Sequence, residues 1–260
     1  MKSLEKYFNK RKANTLLLLK KPKPSYRPKT FHDLRVEIKK LNALCELIEE
    51  SVKNFKRKKT FEPFDIIFDQ AGKVRELQIE SRLLNKYFLS QMLKTYERNL
   101  SRKRLAERTI YFSLVNPKAI RELKKKYVKI ESMLQKVNKK EAKKFMDEKI
   151  NKIENMIEPS TIKIDQLHDL RKKLKEYEFV RSGLDMDDVI KPIPNLTDLT
   201  DLLGEWHDGQ VISIHINNAL DNKTITAKEK KQLQKVKDKI LTENKNLLSK
   251  IKAIKSDTKI

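Results

Sequence analysis

The chain predicts an all-α protein of two pseudo-symmetric helical bundles, the product of an internal duplication. Three observations predict it. Only 4 of the 260 residues are glycine and there is little Val or Thr, whereas the Lys, Leu, Glu and Ile content suits helices. His-Asp-Leu-Arg, with a lysine seven residues after the histidine, occurs twice, from His32 to Lys39 and from His168 to Lys175. Each copy is followed by a segment of the form Gly-x-x-basic-acidic-x-x-aliphatic, at Gly72–Ile79 and Gly204–Val211, 40 and 36 residues after the two histidines. Two helix pairs that match in order and spacing read as a duplication.

Taken in order, residues 3–19 form a short amphipathic helix with Leu4, Tyr7 and Phe8 ahead of the run Leu16 to Leu19. That run is too short to span a bilayer or to serve as a signal-peptide core. Three prolines between Lys21 and Pro28 break the helix. Thr30 followed by Asp33 resembles a capping box and opens the first motif helix, expected to reach about Arg57. Phe61 to Phe64, with Pro63 near a helix start, opens a second helix that passes Gly72 and Arg75 and ends near Leu84. A third covers about 87–114 and stops at Asn116-Pro117. A Lys-rich segment, about 118–156, is interrupted near Asn138 and punctuated by Pro159 and Ser160. Asp165 is the expected N-cap of the second motif helix, which ends near Gly183. A turn-rich linker from Asp185 to Pro194 precedes helices at 196–220 and about 226–255, and the tail after Lys255 is expected to fray. The domain organisation that follows is an N-terminal helix and linker at 1–29, a first half at 30–158 and a second half at 159–260.

Positions i, i+3 and i+7 of a helix fall at about 0°, 300° and 340° around its axis. His32, Arg35 and Lys39 therefore share one narrow face, as do His168, Arg171 and Lys175. Leu34, Ile38, Leu41 and Ile48 take the opposite side of the first helix, and Leu170, Leu174, Tyr177 and Leu184 that of the second. Each helix can bury one side and carry a cationic stripe about 10 Å long on the other.

Sixty Lys+Arg against 36 Asp+Glu give a net charge of +24, which predicts an anionic partner: nucleic acid, an acidic membrane or a polyphosphate. Arg35 and Arg171 can fork onto phosphate oxygens, while Lys39, Lys40, Lys172 and Lys175 act as point charges. His32 and His168 lie near helix N-termini, where backbone amides also favour an anion. A bound phosphate chain would favour imidazolium, so binding is expected to tighten at mildly acidic pH. Arg75, with Arg82 one face-repeat later, extends the row. His207 stands between two readings, ligand contact or packing with Trp206 and Asp208, and His215 reads as structural or exposed. Asp33, Asp169 and Asp208 lie beside cations and read as orienting salt-bridge partners. Adjacent His and Asp do not share a helix face, so no metal site is expected, and no cofactor either. Gly72 and Gly204 inside helices each cost about 1 kcal/mol relative to Ala, which close approach of another helix or of a ligand would justify. The single Cys45 excludes an internal disulfide and suits a reducing, intracellular setting.

These residues resemble the CHAD family, the conserved histidine α-helical domain. His32-Asp33-Leu34-Arg35-Val36 with Lys39 and Lys40 is similar to its first signature, and Leu167-His168-x-x-Arg171 with Lys175 to its second. Gly72-x-x-Arg75-Glu76 and Leu202-Leu203-Gly204-x-x-His207-Asp208 resemble the glycine-containing helix of each half. Asn42 stands where the first signature often has another arginine. The resemblance spans about 30–225 and implies two related helical bundles around a basic channel or pocket. It also implies binding of inorganic polyphosphate without catalysis by the domain. With no targeting or membrane-spanning run in the sequence, the expected location is the cytoplasm, in association with polyphosphate granules. The triphosphatase domain often joined to that family has a Glu-x-Glu-x-Lys signature, which this sequence lacks.

Two other classes compete. A nucleic-acid-binding helical protein is supported by charge, but aromatics make up 7% of the chain and do not line the stripes as stacking platforms would. A polyphosphate- or triphosphate-processing enzyme would need a phosphate loop or a carboxylate cluster for magnesium, and the sequence offers neither. A membrane-surface role is weaker, because the stripes face inward if the halves pack as the resemblance implies.

Overall fold

The computed structural model describes residues 1–86, 92–157, 164–186, 189–190 and 192–257. Among them it has nine α-helices and no strand, as the composition predicts. The chain forms two compact units, one of residues 1–72 and 111–194, the other of residues 73–110 and 195 onward. The first contains α1 (Lys2–Leu19), α2 (Pro28–Ser51), the start of α3 (Arg57–Lys86), the end of α4 (Lys94–Leu114), α5 (Pro117–Leu134), α6 (Lys139–Ile157) and α7 (Ile164–Arg181). The second contains the rest of α3 and α4, with α8 (Leu196–Leu220) and α9 (Ala227–Asp257). These units differ from the sequence halves 30–158 and 159–260. Each half contributes to both, because α3, 30 residues and so about 45 Å long, runs out of one unit into the other.

Several helix ends fall where local chemistry sets them. Pro28 is the first residue of α2, where its missing N–H costs nothing, and Arg27 is the extended N-cap. Thr30 is therefore the third helical residue and not the cap; its Oγ1 accepts from the Arg27 backbone N–H at 3.3 Å. The first motif helix ends at Ser51 and not near Arg57. Asn54 takes a left-handed conformation at φ 70°, which Asn tolerates, and Arg57 restarts the helix with its N–H donated to Glu49 Oε1 at 2.8 Å. Pro63 lies inside α3 and cannot donate to the carbonyl of Lys59; the Lys126 ammonium supplies that carbonyl with a donor at 3.2 Å. The Lys-rich segment does break at Asn138, whose Oδ1 caps α6 by accepting from Glu141 N at 2.9 Å. Asp165 sits within the first turn of α7 and not at its cap. Pro159 and Ser160 lie outside the described residues.

In the first unit α2 packs against α1, α5, α6 and α7. Leu4 and Phe8 of α1 are fully buried beside it, and Arg11 donates from Nη1 to the buried Glu37 of α2 at 3.0 Å. The N-terminal helix is thus part of this core. A side chain at Gly183, just past α7, would meet the Tyr7 ring at 2.9 Å, so glycine lets α1 dock there. Cys45 is buried, which pushes its thiol far above the usual range and leaves it inert.

The second unit has its own core, in which Leu84, Leu93, Tyr96 and Leu100 meet Ile212 and Ile216 of α8 and Leu233 and Val236 of α9. Glu229, in the first turn of α9, accepts the backbone N–H groups of Thr95 at 2.6 Å and Tyr96 at 3.3 Å. Burial pushes this carboxyl up, but those donors and Thr226 hold it below the usual carboxylate range. No helix among the described residues is long and apolar enough to cross a membrane.

Candidate anion-binding site

The two motif helices, α2 and α7, belong to the same compact unit and pack on each other. Their expected apolar faces are buried: Leu34, Ile38, Leu41 and Ile48 on one side, Leu170, Leu174, Tyr177 and Leu184 on the other. Lys149 of α6 fixes their register, its ammonium lying 2.8 Å from Glu46 of α2 and 2.7 Å from Glu176 of α7. With the apolar sides consumed, the stripes are left at the surface of the packed pair: His32 and Lys172 are exposed, and Arg35, Lys39, His168, Arg171 and Lys175 are half-buried.

Arg35 is the most constrained cation of the first stripe. Its guanidinium lies over the Phe68 ring, 3.8 Å from the centroid, and its Nη1 donates to the Phe68 carbonyl at 2.6 Å. A Cβ at Gly72, one turn further along α3, would overlap Nη1 and come within 3.1 Å of Cζ. The helical glycine is therefore explained by a side chain: Gly72 keeps the slot open in which Arg35 lies. Lys39 stands over the same ring at 5.8 Å.

Lys40 turns another way. It lies 3.9 Å from Glu37, in the cluster with Arg11, and over the Phe179 ring of α7 at 5.8 Å. Burial lowers its pKa, opposed by Glu37 and aided by Arg11. On α7, Lys172 pairs with Asp169 at 3.6 Å and Lys175 with Glu178 at 2.8 Å. Asp33 pairs with Lys29 at 3.0 Å, the salt-bridging role expected of it.

His168 registers the field of both stripes. Burial lowers its pKa first, and Lys172, Arg171 and Lys39 lower it further against Asp169. Lys39 is a residue of α2, so the stripe of one motif helix acts electrostatically on the histidine of the other.

Three residues of this unit were not legible as site residues in the sequence. Phe68 is the platform for Arg35 and Lys39, and Phe179 for Lys40. Arg57, at the start of α3, donates to Asn42 Oδ1 at 2.8 Å while pairing with Glu49 at 3.3 Å and Glu46 at 3.7 Å. Asn42 lies one face-repeat beyond Arg35, so a guanidinium from α3 reaches the position where the family signature often has its own arginine. The signal available was the aromatic four residues before Gly72, but nothing local says which helix it faces.

Arg75, Arg82 and His207 belong to the other unit. There Arg82 is exposed and reaches Asp208 of α8 at 3.5 Å, while Arg75 and His207 are half-buried. Trp206 beside His207 is buried in the unit's own packing. Among the described residues no group of three or more His, Cys, Asp or Glu could hold a metal ion.

The fold has close counterparts among solved structures. PptA from Streptomyces chartreusis superposes with a TM-score of 0.72 at 10% identity, over 96% of this chain and 98% of that one. The CHAD domain from the plant Ricinus communis superposes with a TM-score of 0.75 at 12% identity, over 97% of this chain and 88% of that one. No curated protein matches the sequence. The model of the CHAD domain matches residues 3–217, which takes in α1 as well as both motif helices. The chain belongs to the CHAD domain family.

Proposed function

We propose that the protein binds inorganic polyphosphate without cleaving it, along the surface where the stripes of α2 and α7 meet. The observation that carries this reading is the pairing of the two stripes in one unit, with Lys39 of α2 acting on His168 of α7. Polyphosphate presents evenly spaced charge and no bases, so recognition needs a row of cations held at fixed intervals. Arg35 and Arg171 are the forked donors of that row, Lys39, Lys172 and Lys175 its point charges, and His32 and His168 its titrating members. Lys40, next to Glu37, contributes long-range field more than direct contact. Arg75, Arg82 and His207, in the second unit, form a cationic segment of their own. Family membership supports the ligand class. The guanidinium, ammonium and imidazole groups of the stripes are suited to holding phosphates.

The test compares long-chain polyphosphate with single-stranded RNA at about physiological salt, for the wild type and a variant with Arg35, Lys39, Arg171 and Lys175 changed to Ala. Preference for polyphosphate, lost in the variant, is expected. Equal binding of both polymers, little changed by the substitutions, would mean that only net charge is read and would overturn the assignment.

A further inference from the structure

The second compact unit contains a cavity of about 250 Å³ between α3, α4 and α8 that the stripes do not use. On α3 it is lined by Leu77 and Glu80, which lie about 200° and 140° around the helix from Arg75. Arg82 falls back near the angle of Arg75, so the cavity faces away from the cationic side of α3.

Its polar end is a buried carboxylate held by two partners. Glu80 accepts the Tyr96 hydroxyl on Oε1, and its Oε2 lies 2.7 Å from His215 Nδ1. Both carboxylate oxygens are thereby engaged. The bond to Glu80 favours the imidazolium of His215; burial opposes this, Glu80 and Glu76 add to it, and Lys103 subtracts. With Nδ1 turned to Glu80, Nε2 is the ring atom left for the cavity that His215 lines, and it is a donor when the ring is protonated. Lys103 of α4 lines it too, exposed, and makes no salt bridge to any described residue. Asn99, Asn218 and Asn222 add amides, and Leu100, Ala219 and Ile225 an apolar wall.

We infer that this cavity is a separate binding site for a small molecule with one oxyanion head, a phosphomonoester or carboxylate, on a short apolar body. Lys103 and the protonated form of His215 stand against one carboxylate whose two oxygens are already engaged, which leaves a net positive site. The volume suits a metabolite-sized ligand and not a polymer. The head lies between Lys103 and His215, the amide of Asn218 orients it, and the body rests on Leu100 and Ile225. Sequence reading gave His215 a structural or exposed role; its bond to Glu80, 135 positions away, is a structural one, and the same ring lines the cavity.

The probe is phenyl phosphate, titrated into the full chain while the histidine ring resonances are followed by NMR. The His215 signal is identified as the one lost in His215→Gln. Saturable movement of that resonance is expected, with affinity reduced about tenfold in Lys103→Ala and a similar loss in Asn218→Asp. Both substitutions are at exposed positions, so the variants keep their fold. Inorganic phosphate, lacking the body, is expected to bind more weakly, and benzoate tests the carboxylate arm. A His215 resonance that stays still, an affinity indifferent to Lys103 and Asn218, or complete displacement of phenyl phosphate from wild type by polyphosphate at equal phosphate would each overturn the site.

Discussion

The two motif helices carry the same cations at the same spacing but hold them differently. On α2, Arg35 lies over the Phe68 ring and donates to the Phe68 carbonyl, in a slot that Gly72 keeps open. On α7, Lys172 and Lys175 lie against carboxylates of their own helix, Asp169 and Glu178. A polyanion that meets Arg35 finds its guanidinium already held in place, whereas at Lys172 and Lys175 it must displace carboxylates from the lysines. Exposed pairs of that kind contribute about 0.3–0.5 kcal/mol each, so the displacement costs little. Arg35 is pre-organised, and Lys172 and Lys175 are exchangeable.

The sharpest way to break this contrast is Gly72→Ala. The added methyl evicts the Arg35 guanidinium, and polyphosphate affinity is expected to fall about tenfold although alanine is the better helix former. Arg35→Ala should give a similar loss, and the double variant little more, because both remove one seated guanidinium. Affinities of the three variants measured side by side would decide it; additive losses would show that Gly72 acts on something else.

A smaller effect separates the helices by pH. In the ligand-free protein the pKa of His168 lies below its ordinary value of about 6.5, through burial and the cations around it. A bound polyanion raises it. The proton-linked part of the affinity is therefore complete below the free-state pKa and is lost as pH rises through the bound-state pKa. Binding measured from pH 5.5 to 8 at constant salt should weaken several-fold over that window. His168→Gln should flatten the profile; an unchanged slope would move the titrating group elsewhere.

The smallest effect is on the exchangeable lysines. Lys172→Ala and Lys175→Ala should each reduce affinity only about two- to threefold and lower the salt dependence of binding slightly. A loss as large as that of Arg35→Ala, in the same titration, would remove the distinction between the helices.

Helical periodicity was legible in the sequence, and capping only in part, since Thr30 and Asp165 sit inside the first turns of α2 and α7. The apolar faces of α2 and α7 repeat at helical period, and every residue assigned to them is buried. Asn138 and Asn116 cap helices because their amide oxygens reach N–H groups three residues on, an interaction contained within one turn. The boundaries that were displaced depend on single residues whose backbone preference is weak, such as Asn54 at the end of α2. The stripe residues were found by phase alone, since angle around a helix follows from sequence position.

Tertiary structure decided what those residues face. Gly72 could have served a helix or a ligand; Arg35, 37 positions earlier, is its neighbour only once α2 lies against α3. Lys40 has the right sequence for the row, yet Glu37 and Arg11 draw it into their cluster. Glu80 and His215 meet across 135 residues, with nothing in either segment to announce the other. The sequence by itself determined the helices, their buried faces and the cationic phase, because short-range periodicity sets all three. Which cation is seated and which is exchangeable was decided by packing, because burial and ion pairing depend on distances that only the folded chain defines.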